Sequence, residues 1–176
     1  MFGKNNLLKF CGVILIAISM GGLLSGNRVN AQNAIATLSN GNYQFCSQPK
    51  PDDWRSGAGV CFSFAKTGDR VDGYYGYPHT DDLICVRGEV RGSLVTGEAL
   101  AMSWGGSQWI SIPNTEFNWD QEGRLSLQDG KVIRTAMDRG GKTEWILFND
   151  AKLNTEGFYQ YQQPLMTSPT QLCKWK

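Results

Sequence analysis

Two alternating segments decide the fold: Gly41-Asn42-Tyr43-Gln44-Phe45-Cys46 and Val60-Cys61-Phe62-Ser63-Phe64-Ala65-Lys66-Thr67. In both, aromatic residues at every second position alternate with smaller or polar residues. A period of two places the aromatic side chains on one face of an extended strand and the remaining side chains on the opposite face. The two segments therefore predict neighbouring β-strands that carry their cysteines on the less apolar face.

The same pattern continues along the rest of the chain. No long stretch has the apolar spacing of an amphipathic helix, and turn residues such as Thr67-Gly68-Asp69 separate the alternating segments. Residues 150–154 are consistent with either one helical turn or an extended crossing. Further strands are predicted over 71–77, 83–90, 94–104, 124–127, 131–136, 144–148 and 157–161, with tight turns at Asp129-Gly130 and Arg139-Gly140-Gly141.

Short strands in hairpin order predict an all-β fold. We expect an antiparallel meander that closes into a small up-and-down β-barrel stapled by disulfides, and we favour closure over a sandwich because a closed barrel has no exposed strand edges. The length suits one domain with its own core. We assign residues 41–176 to this single barrel domain and residues 32–40 to a flexible lead-in.

Residues 1–31 have the pattern of a cleavable signal peptide. Two lysines precede an apolar stretch over 10–24, and Val29 and Ala31 fit the small-residue positions of a signal peptidase site. The apolar stretch is short and interrupted by glycine, so an uncleaved membrane anchor is the less favoured interpretation. We therefore predict a mature chain that starts at Gln32, is secreted or periplasmic, and has no stable membrane insertion.

The charge distribution argues against nucleic-acid binding. Without residues 1–31, the chain keeps 14 Lys and Arg against 16 Asp and Glu. The basic residues are scattered singly and form no stripe that would follow a phosphate backbone. We therefore predict no nucleic-acid partner, and expect an unknown small molecule or protein instead.

The cysteines after the predicted cleavage site indicate two disulfides. An even number of cysteines in an exported chain is typical of disulfides, whereas zinc would require closer Cys pairs or more than the single histidine present. If the first two strands pair as a hairpin, Cys46 and Cys61 meet on one face, which leaves Cys85 and Cys173 to pin the C-terminal tail. The alternative pairs Cys61 with Cys85 and Cys46 with Cys173. We predict no metal ion and no cofactor.

His79 lies beside two carboxylates in the segment Tyr77-Pro78-His79-Thr80-Asp81-Asp82. A His and Asp pair is the general base of many hydrolases, but no Gly-x-Ser-x-Gly nucleophile motif accompanies it. A calcium site at Asp81 and Asp82 lacks ligands, and an ordinary turn explains the same residues. We therefore predict no catalytic residues and no enzyme, and we keep a hydrolase that uses His79 with Asp81 or Asp82 as the alternative.

Aromatic residues supply the predicted ligand-binding positions. Trp104 and Trp109 flank a glycine pair in a predicted loop. Tryptophans in a loop are less often needed for core packing than tryptophans in a strand, so they are candidates for ligand contacts. Tyr75 and Tyr77 are the further candidates. Tyrosine and tryptophan offer both apolar area and a polar tip, which suits an apolar or carbohydrate ligand.

Five segments between residues 41 and 105 carry a resemblance: Gly41-Asn42-Tyr43-Gln44-Phe45-Cys46, Gly59-Val60-Cys61-Phe62-Ser63-Phe64, Gly73-Tyr74-Tyr75-Gly76-Tyr77, Ile84-Cys85-Val86-Arg87-Gly88 and Thr96-Gly97-Glu98-Ala99. Together they resemble uncharacterised secreted cyanobacterial β-rich proteins. This resemblance implies no catalytic residue in the present chain. The strand spacing is similar to that of lipocalin-like barrels, although Gly41-Asn42-Tyr43 stands where a lipocalin has Gly-x-Trp. The lipocalin resemblance implies ligand binding by analogy alone.

These patterns predict a non-enzymatic extracytoplasmic domain. We expect it to bind a small apolar or carbohydrate ligand, or a protein partner, through its aromatic loops. A hydrolase is one alternative, and a purely structural or inhibitory extracellular protein with disulfides for durability is the other.

Overall fold

The computed structural model describes residues 34–53, 57–103, 112–138, 141–162, 167 and 169–175. Within these ranges the chain forms one antiparallel sheet, so the predicted all-β class is confirmed. A single 3₁₀ turn, Ile35–Thr37, precedes the sheet, and a short helix α1, Pro169–Leu172, follows it. The strands are β1 Gly41–Cys46, β2 Cys61–Thr67, β3 Arg70–Gly76, β4 Leu83–Arg91, β5 Leu94–Ser103, β6 Phe117–Asn118, β7 Leu125–Asp138, β8 Gly141–Asn154 and β9 Tyr159–Gln160.

The strand order in the sheet is β6-β7-β8-β5-β4-β3-β2-β1-β9. Strands β1 to β5 form the meander that the sequence predicts. Strands β6 to β8 form a second meander, which joins the first where β8 pairs with β5. The chain then crosses to the opposite edge, where β9 pairs with β1.

The prediction of a closed barrel is wrong, because the sheet curls into a half-barrel that stays open. Its edge strands β6 and β9 are only two residues long. Because β6 pairs with β7 at two positions only, most of the 14 residues of β7 have no second partner strand among the described residues. Exposed charged residues such as Lys131 discourage edge-to-edge pairing there, so closure is not the only protection of an edge. A side-chain contact bridges the open side: the Ser47 hydroxyl, just after β1, donates to the Glu122 carboxylate in the β6–β7 loop at 2.7 Å.

The aromatic face of the two deciding segments packs into one core, as the alternation predicts. Phe62, Phe64 and Phe148 are fully buried there, with apolar residues from the other long strands. Ile35 from the 3₁₀ turn inserts into the same core with 1% of its surface exposed. The inner side of the half-barrel is therefore occupied by protein side chains, and a ligand site must be sought on the outer face.

The predicted turn at Asp129-Gly130 is wrong, because β7 runs unbroken through it. Gly130 pairs with Phe148 inside the β7–β8 ladder. Asp129 does adopt a left-handed φ of 57°, so the local turn preference of Asp is present, but the long partner strand keeps the chain extended. Residues 150–154 belong to β8, which settles their two alternatives in favour of the extended one.

Gly88 and Gly97 face each other across β4 and β5. A Cβ atom on Gly97 would lie 2.2 Å from the Arg87 carbonyl oxygen and 2.6 Å from the Gly88 Cα. Both neighbours are backbone atoms, which cannot move aside like a flexible side chain. The glycine pair therefore permits the close strand approach at this point, next to the register shift between Gly97 and Ala99.

We expect Gly97→Ala to lower the free energy of unfolding by about 2 to 3 kcal/mol, because the added methyl group forces the backbone of β4 and β5 apart. Urea denaturation measures the change. Gly92→Ala is the matched control, since Gly92 has a φ of 63° but a Cβ atom added there would meet nothing within 4 Å. Its expected loss is about 1 kcal/mol from the left-handed backbone alone, and equal losses in the two variants would contradict the steric explanation.

Candidate functional site

Both predicted disulfides are present and have the predicted pairing. Cys46 lies directly opposite Cys61 in the β1–β2 ladder, with a Cα separation of 4.0 Å, so the hairpin argument is confirmed. Cys85 on β4 is bonded to Cys173 across 88 residues of chain. The second bond fixes the segment that contains α1 onto the outer face of the sheet.

A cavity of about 380 Å³ lies on the outer face, beneath this C-terminal segment. Its lining comes from the strands β1 to β3, the loop after β1, the turn between β3 and β4, and the C-terminal segment. The aromatic and aliphatic part of the lining is Tyr74, Tyr77, Tyr161, Pro51, Pro78, Ala58, Leu83 and Leu172. Lining that is mainly apolar, with a few polar groups, is typical of small-molecule sites.

The strand register builds the floor of the cavity. Gln44, Ser63 and Tyr74 lie opposite one another on three adjacent strands and form a polar row. Gln44 and Ser63 are almost completely buried. Gly76 lies two residues after Tyr74 on β3, between Cys61 of β2 and Leu83 of β4, and contributes no side chain. A Cβ atom on Gly76 would lie 2.2 Å from the Asp82 carbonyl oxygen, so the glycine permits the close approach of the backbone at this point of the floor.

Tyr74 is the polar centre of the floor. Burial raises the pKa of Tyr74, and hydrogen bonds from the Ser63 side chain and the Thr167 backbone partly offset that rise. The phenol therefore remains protonated at neutral pH. The contact with Thr167 also joins the floor to the C-terminal segment.

The turn between β3 and β4 forms one wall. The Thr80 backbone N–H donates to the Tyr77 carbonyl at 3.3 Å, with Pro78 second and His79 third in a four-residue turn. His79 has a φ of 65°, the left-handed value that the third position of a type II turn requires. Glycine is the usual residue there, so His79 is held in a strained backbone conformation on the cavity wall.

The opposite wall is tied to β1. The Tyr161 backbone N–H donates to the Gln44 carbonyl at 2.9 Å, and its hydroxyl donates to the Gln48 carbonyl at 3.2 Å. The Tyr161 ring packs against the first disulfide and Ala58. Burial raises the pKa of Tyr161.

Trp175 anchors the end of the C-terminal segment. Its indole N–H donates to the Asp72 carboxylate at 3.2 Å, and its ring lies 4.2 Å from the Arg87 guanidinium. Arg87 also forms an ion pair with Glu98 at 2.7 Å. Together with the second disulfide, these contacts hold the segment that covers the cavity.

We expect acidification to relieve an unfavourable charge at Asp72. Burial raises the pKa of Asp72 above its ordinary value of 3.8, and the Trp175 hydrogen bond and the Arg87 charge offset this only in part. Because the folded-state pKa is the higher one, the ionised carboxylate reduces stability at neutral pH, and this loss disappears as the pH falls through the folded-state pKa.

Asp72→Asn removes the charge and keeps an oxygen that accepts the Trp175 hydrogen bond. We therefore expect the variant to be more stable than the wild type at neutral pH and equally stable at about pH 3, where both side chains are neutral. Urea denaturation at the two pH values measures this. A variant that is less stable at neutral pH would show instead that the attraction to Arg87 outweighs burial.

The structure brings one of the four predicted aromatic site residues to the cavity. Tyr77 lines it, whereas Tyr75 lies fully buried in the core, and Trp104 and Trp109 lie outside the described residues. Burial raises the pKa of Tyr75, and the nearby Asp120 carboxylate raises it further. No described group lies in hydrogen-bonding geometry to the Tyr75 hydroxyl.

Sequence reasoning missed most of the cavity. His79 lines it, but Asp81 and Asp82, its proposed partners, are exposed and are not among the lining residues. Gln44, Ser63 and Tyr74 were not candidates, although the alternation already placed Gln44 and Ser63 on the face that carries the cysteines. The pairing of Cys85 with Cys173 placed the C-terminal segment on this face, but no local pattern showed that a cavity would form beside it.

No group of three or more His, Cys, Asp or Glu side chains able to hold a metal ion occurs within the described ranges. In the part of the chain that the structure covers, no helix has the length and apolar character needed to span a membrane. Comparison of the chain with protein-family models, with curated proteins and with solved structures finds no match. The function must therefore be argued from the cavity itself.

Proposed function

We propose that this protein is a non-enzymatic extracytoplasmic domain that binds a small, mainly apolar ligand in the cavity on the outer face of its sheet. The observation that carries the proposal is the concave, partly open site of about 380 Å³ beside a segment that a disulfide fixes in place. This volume lies within the range of small-molecule sites, and three tyrosines provide the apolar surface.

The covalent frame supports the proposal. Cys61 lines the cavity and belongs to the first disulfide, and the second disulfide lies next to Leu172 of the covering segment. Walls that are cross-linked before the ligand arrives need little ordering on binding, which favours affinity.

Trp104 and Trp109 lie outside the described residues, and their role stays a prediction. Cys85 pairs with Leu100, so the end of β5 at Ser103 lies at the same end of the sheet as the turn after β3. Both tryptophans follow Ser103 in the sequence, and we propose that they contact either the same ligand or a protein partner.

Titration with phenylnaphthylamine, a neutral fluorescent probe, tests cavity binding. We expect saturable binding to the wild type and at least about tenfold weaker binding to Thr167→Trp, because a large ring from this exposed lining position fills the cavity. Thr67→Trp places the same ring on an exposed position away from the cavity and is the control. Equal binding by both variants, or no binding by the wild type, would overturn the proposal.

We also propose that residues 1–31 are removed during export. Two disulfides are typical of an oxidising compartment, which supports this location. A non-reducing peptide map with intact mass tests it on protein exported by its native route. We expect a first residue of Gln32 and a mass lower by four hydrogens than that of the reduced chain, whereas a start at Met1 would contradict export by cleavage.

A hydrolase is the second candidate, because His79 lines the same cavity as Ser63 and Tyr74. This hypothesis predicts turnover on a panel of esters that His79→Ala abolishes while the fold is retained. His79→Gly is the matched variant, since it also removes the imidazole but suits the left-handed φ. Activity that survives in either variant would exclude a role for the ring.

A further inference from the structure

We propose that the cavity binds small organic anions, with the apolar body against the tyrosines and the anionic group between Lys50 and the Tyr74 hydroxyl. This inference rests on the proposed function and names the class of ligand for that site. It follows from a count of the hydrogen-bonding groups and charges around the cavity.

Several polar groups of the lining are already used by the protein. The Thr80 hydroxyl donates to the Tyr77 carbonyl at 2.9 Å and accepts from the Asp82 N–H at 3.1 Å. The Tyr161 hydroxyl donates to the Gln48 carbonyl. These groups shape the walls and have no hydrogen left to offer a ligand.

Tyr74 differs from them, because no described hydrogen bond uses its hydroxyl as the donor. Tyr74 lines the floor of the cavity beside Ser63, and a phenol has one hydrogen to donate. The floor of the cavity therefore presents a donor, which requires an acceptor on the ligand.

The charge of the lining residues also favours an anionic ligand. Lys50 is the only Lys, Arg, Asp or Glu among the described lining residues, and no ion pair joins it to a described carboxylate. Asp81 and Asp82 belong to the adjacent turn but do not line the cavity. Lys50 is itself exposed, and an uncompensated cation beside a concave, partly apolar site attracts anions.

Two probes that share one ring system test this inference. Anilinonaphthalene sulfonate is phenylnaphthylamine with an added sulfonate, so the difference in their affinities isolates the anionic group. We expect the wild type to bind the sulfonate about tenfold more tightly than the neutral probe at low ionic strength, with the difference shrinking as salt is added. Thr167→Trp should weaken both probes if both occupy the cavity.

Substitutions then identify the residues that cause the preference for the anionic probe. We expect Lys50→Gln to weaken the sulfonate about tenfold and to leave the neutral probe unchanged, and Tyr74→Phe to weaken the sulfonate several-fold. Lys131→Gln on exposed β7 is the control and should change neither affinity. If both probes bind equally and Lys50→Gln has no effect, the anion preference is wrong while cavity binding stands. If neither probe binds, the proposed function itself fails.

Discussion

Replacing Cys85 and Cys173 together with serine is expected to lower the free energy of unfolding by about 4 to 5 kcal/mol and to abolish binding of the neutral probe. The bond closes 88 residues of chain, and in the chain-entropy model a longer closed loop restrains the unfolded state more strongly. The same bond holds one wall of the cavity. Urea denaturation measures the first effect and phenylnaphthylamine titration the second.

The first disulfide provides the control for this prediction. Cys46→Ser with Cys61→Ser opens a link of 15 residues, for which the same model gives about 3 kcal/mol. This link lies within a paired hairpin, so the covering segment stays in place, and because Cys61 lines the cavity we expect probe binding to weaken but not to be abolished. A double variant of Cys85 and Cys173 that binds the probe as well as the wild type would show that Trp175 and α1 hold the wall without the bond.

The first half of the fold could be predicted from the sequence because its signals are local. Alternation of aromatic and smaller residues sets the faces of β1 and β2, and two cysteines on the same face then fix the pairing of Cys46 with Cys61. Once that pair is fixed, only Cys85 and Cys173 remain after the predicted cleavage site. The covering role of the C-terminal segment follows from this pairing, but the cavity beneath it depends on side-chain volumes that no local pattern reports.

The second half shows where local signals fail. Asp129 and Gly130 have the residue types of a hairpin turn, and Asp129 keeps a left-handed φ, yet the pairing with the 14-residue β8 continues past them without a chain reversal. Closure of the barrel depends on whether β6 and β9 meet, and this is a long-range property of the curl of the sheet. The contact between Ser47 and Glu122 bridges the open side instead.

The covered outer face distinguishes this half-barrel from a barrel that binds ligands inside. The apolar core fills the inner side with residues such as Phe62, Phe64 and Phe148. This packing stabilises the fold and occupies the space in which such a barrel would bind its ligand. The proposed binding site lies instead beside a segment that one disulfide and one tryptophan hold in place. Stability and binding can then be changed separately, which is why the two disulfide variants are expected to differ in probe binding.

The loop between β6 and β7 provides the second large effect, through Asp120. Its carboxylate is almost completely buried and accepts hydrogen bonds from three backbone N–H groups: Glu122 at 2.9 Å, Arg124 at 3.2 Å and Leu125 at 2.8 Å. Asp120→Ala leaves these donors without an acceptor, and Leu125 is fully buried. We expect the free energy of unfolding to fall by about 3 kcal/mol, measured by urea denaturation.

Asp120→Asn separates the hydrogen bonds from the shape of the side chain. Its amide oxygen can still accept from Glu122 and Arg124, but its NH₂ group would face the Leu125 N–H, so we expect about half of the loss seen with alanine. Asp150→Ala is the control, because Asp150 forms only a solvent-exposed ion pair with Lys152 and should change stability by less than about 0.5 kcal/mol. Equal losses for alanine and asparagine at 120 would mean that the bond to Leu125 alone supports the loop. A loss no larger than that of Asp150→Ala would show that water replaces the carboxylate, and the loop that bridges the open side of the half-barrel would then be held by Glu122 and Ser47 instead.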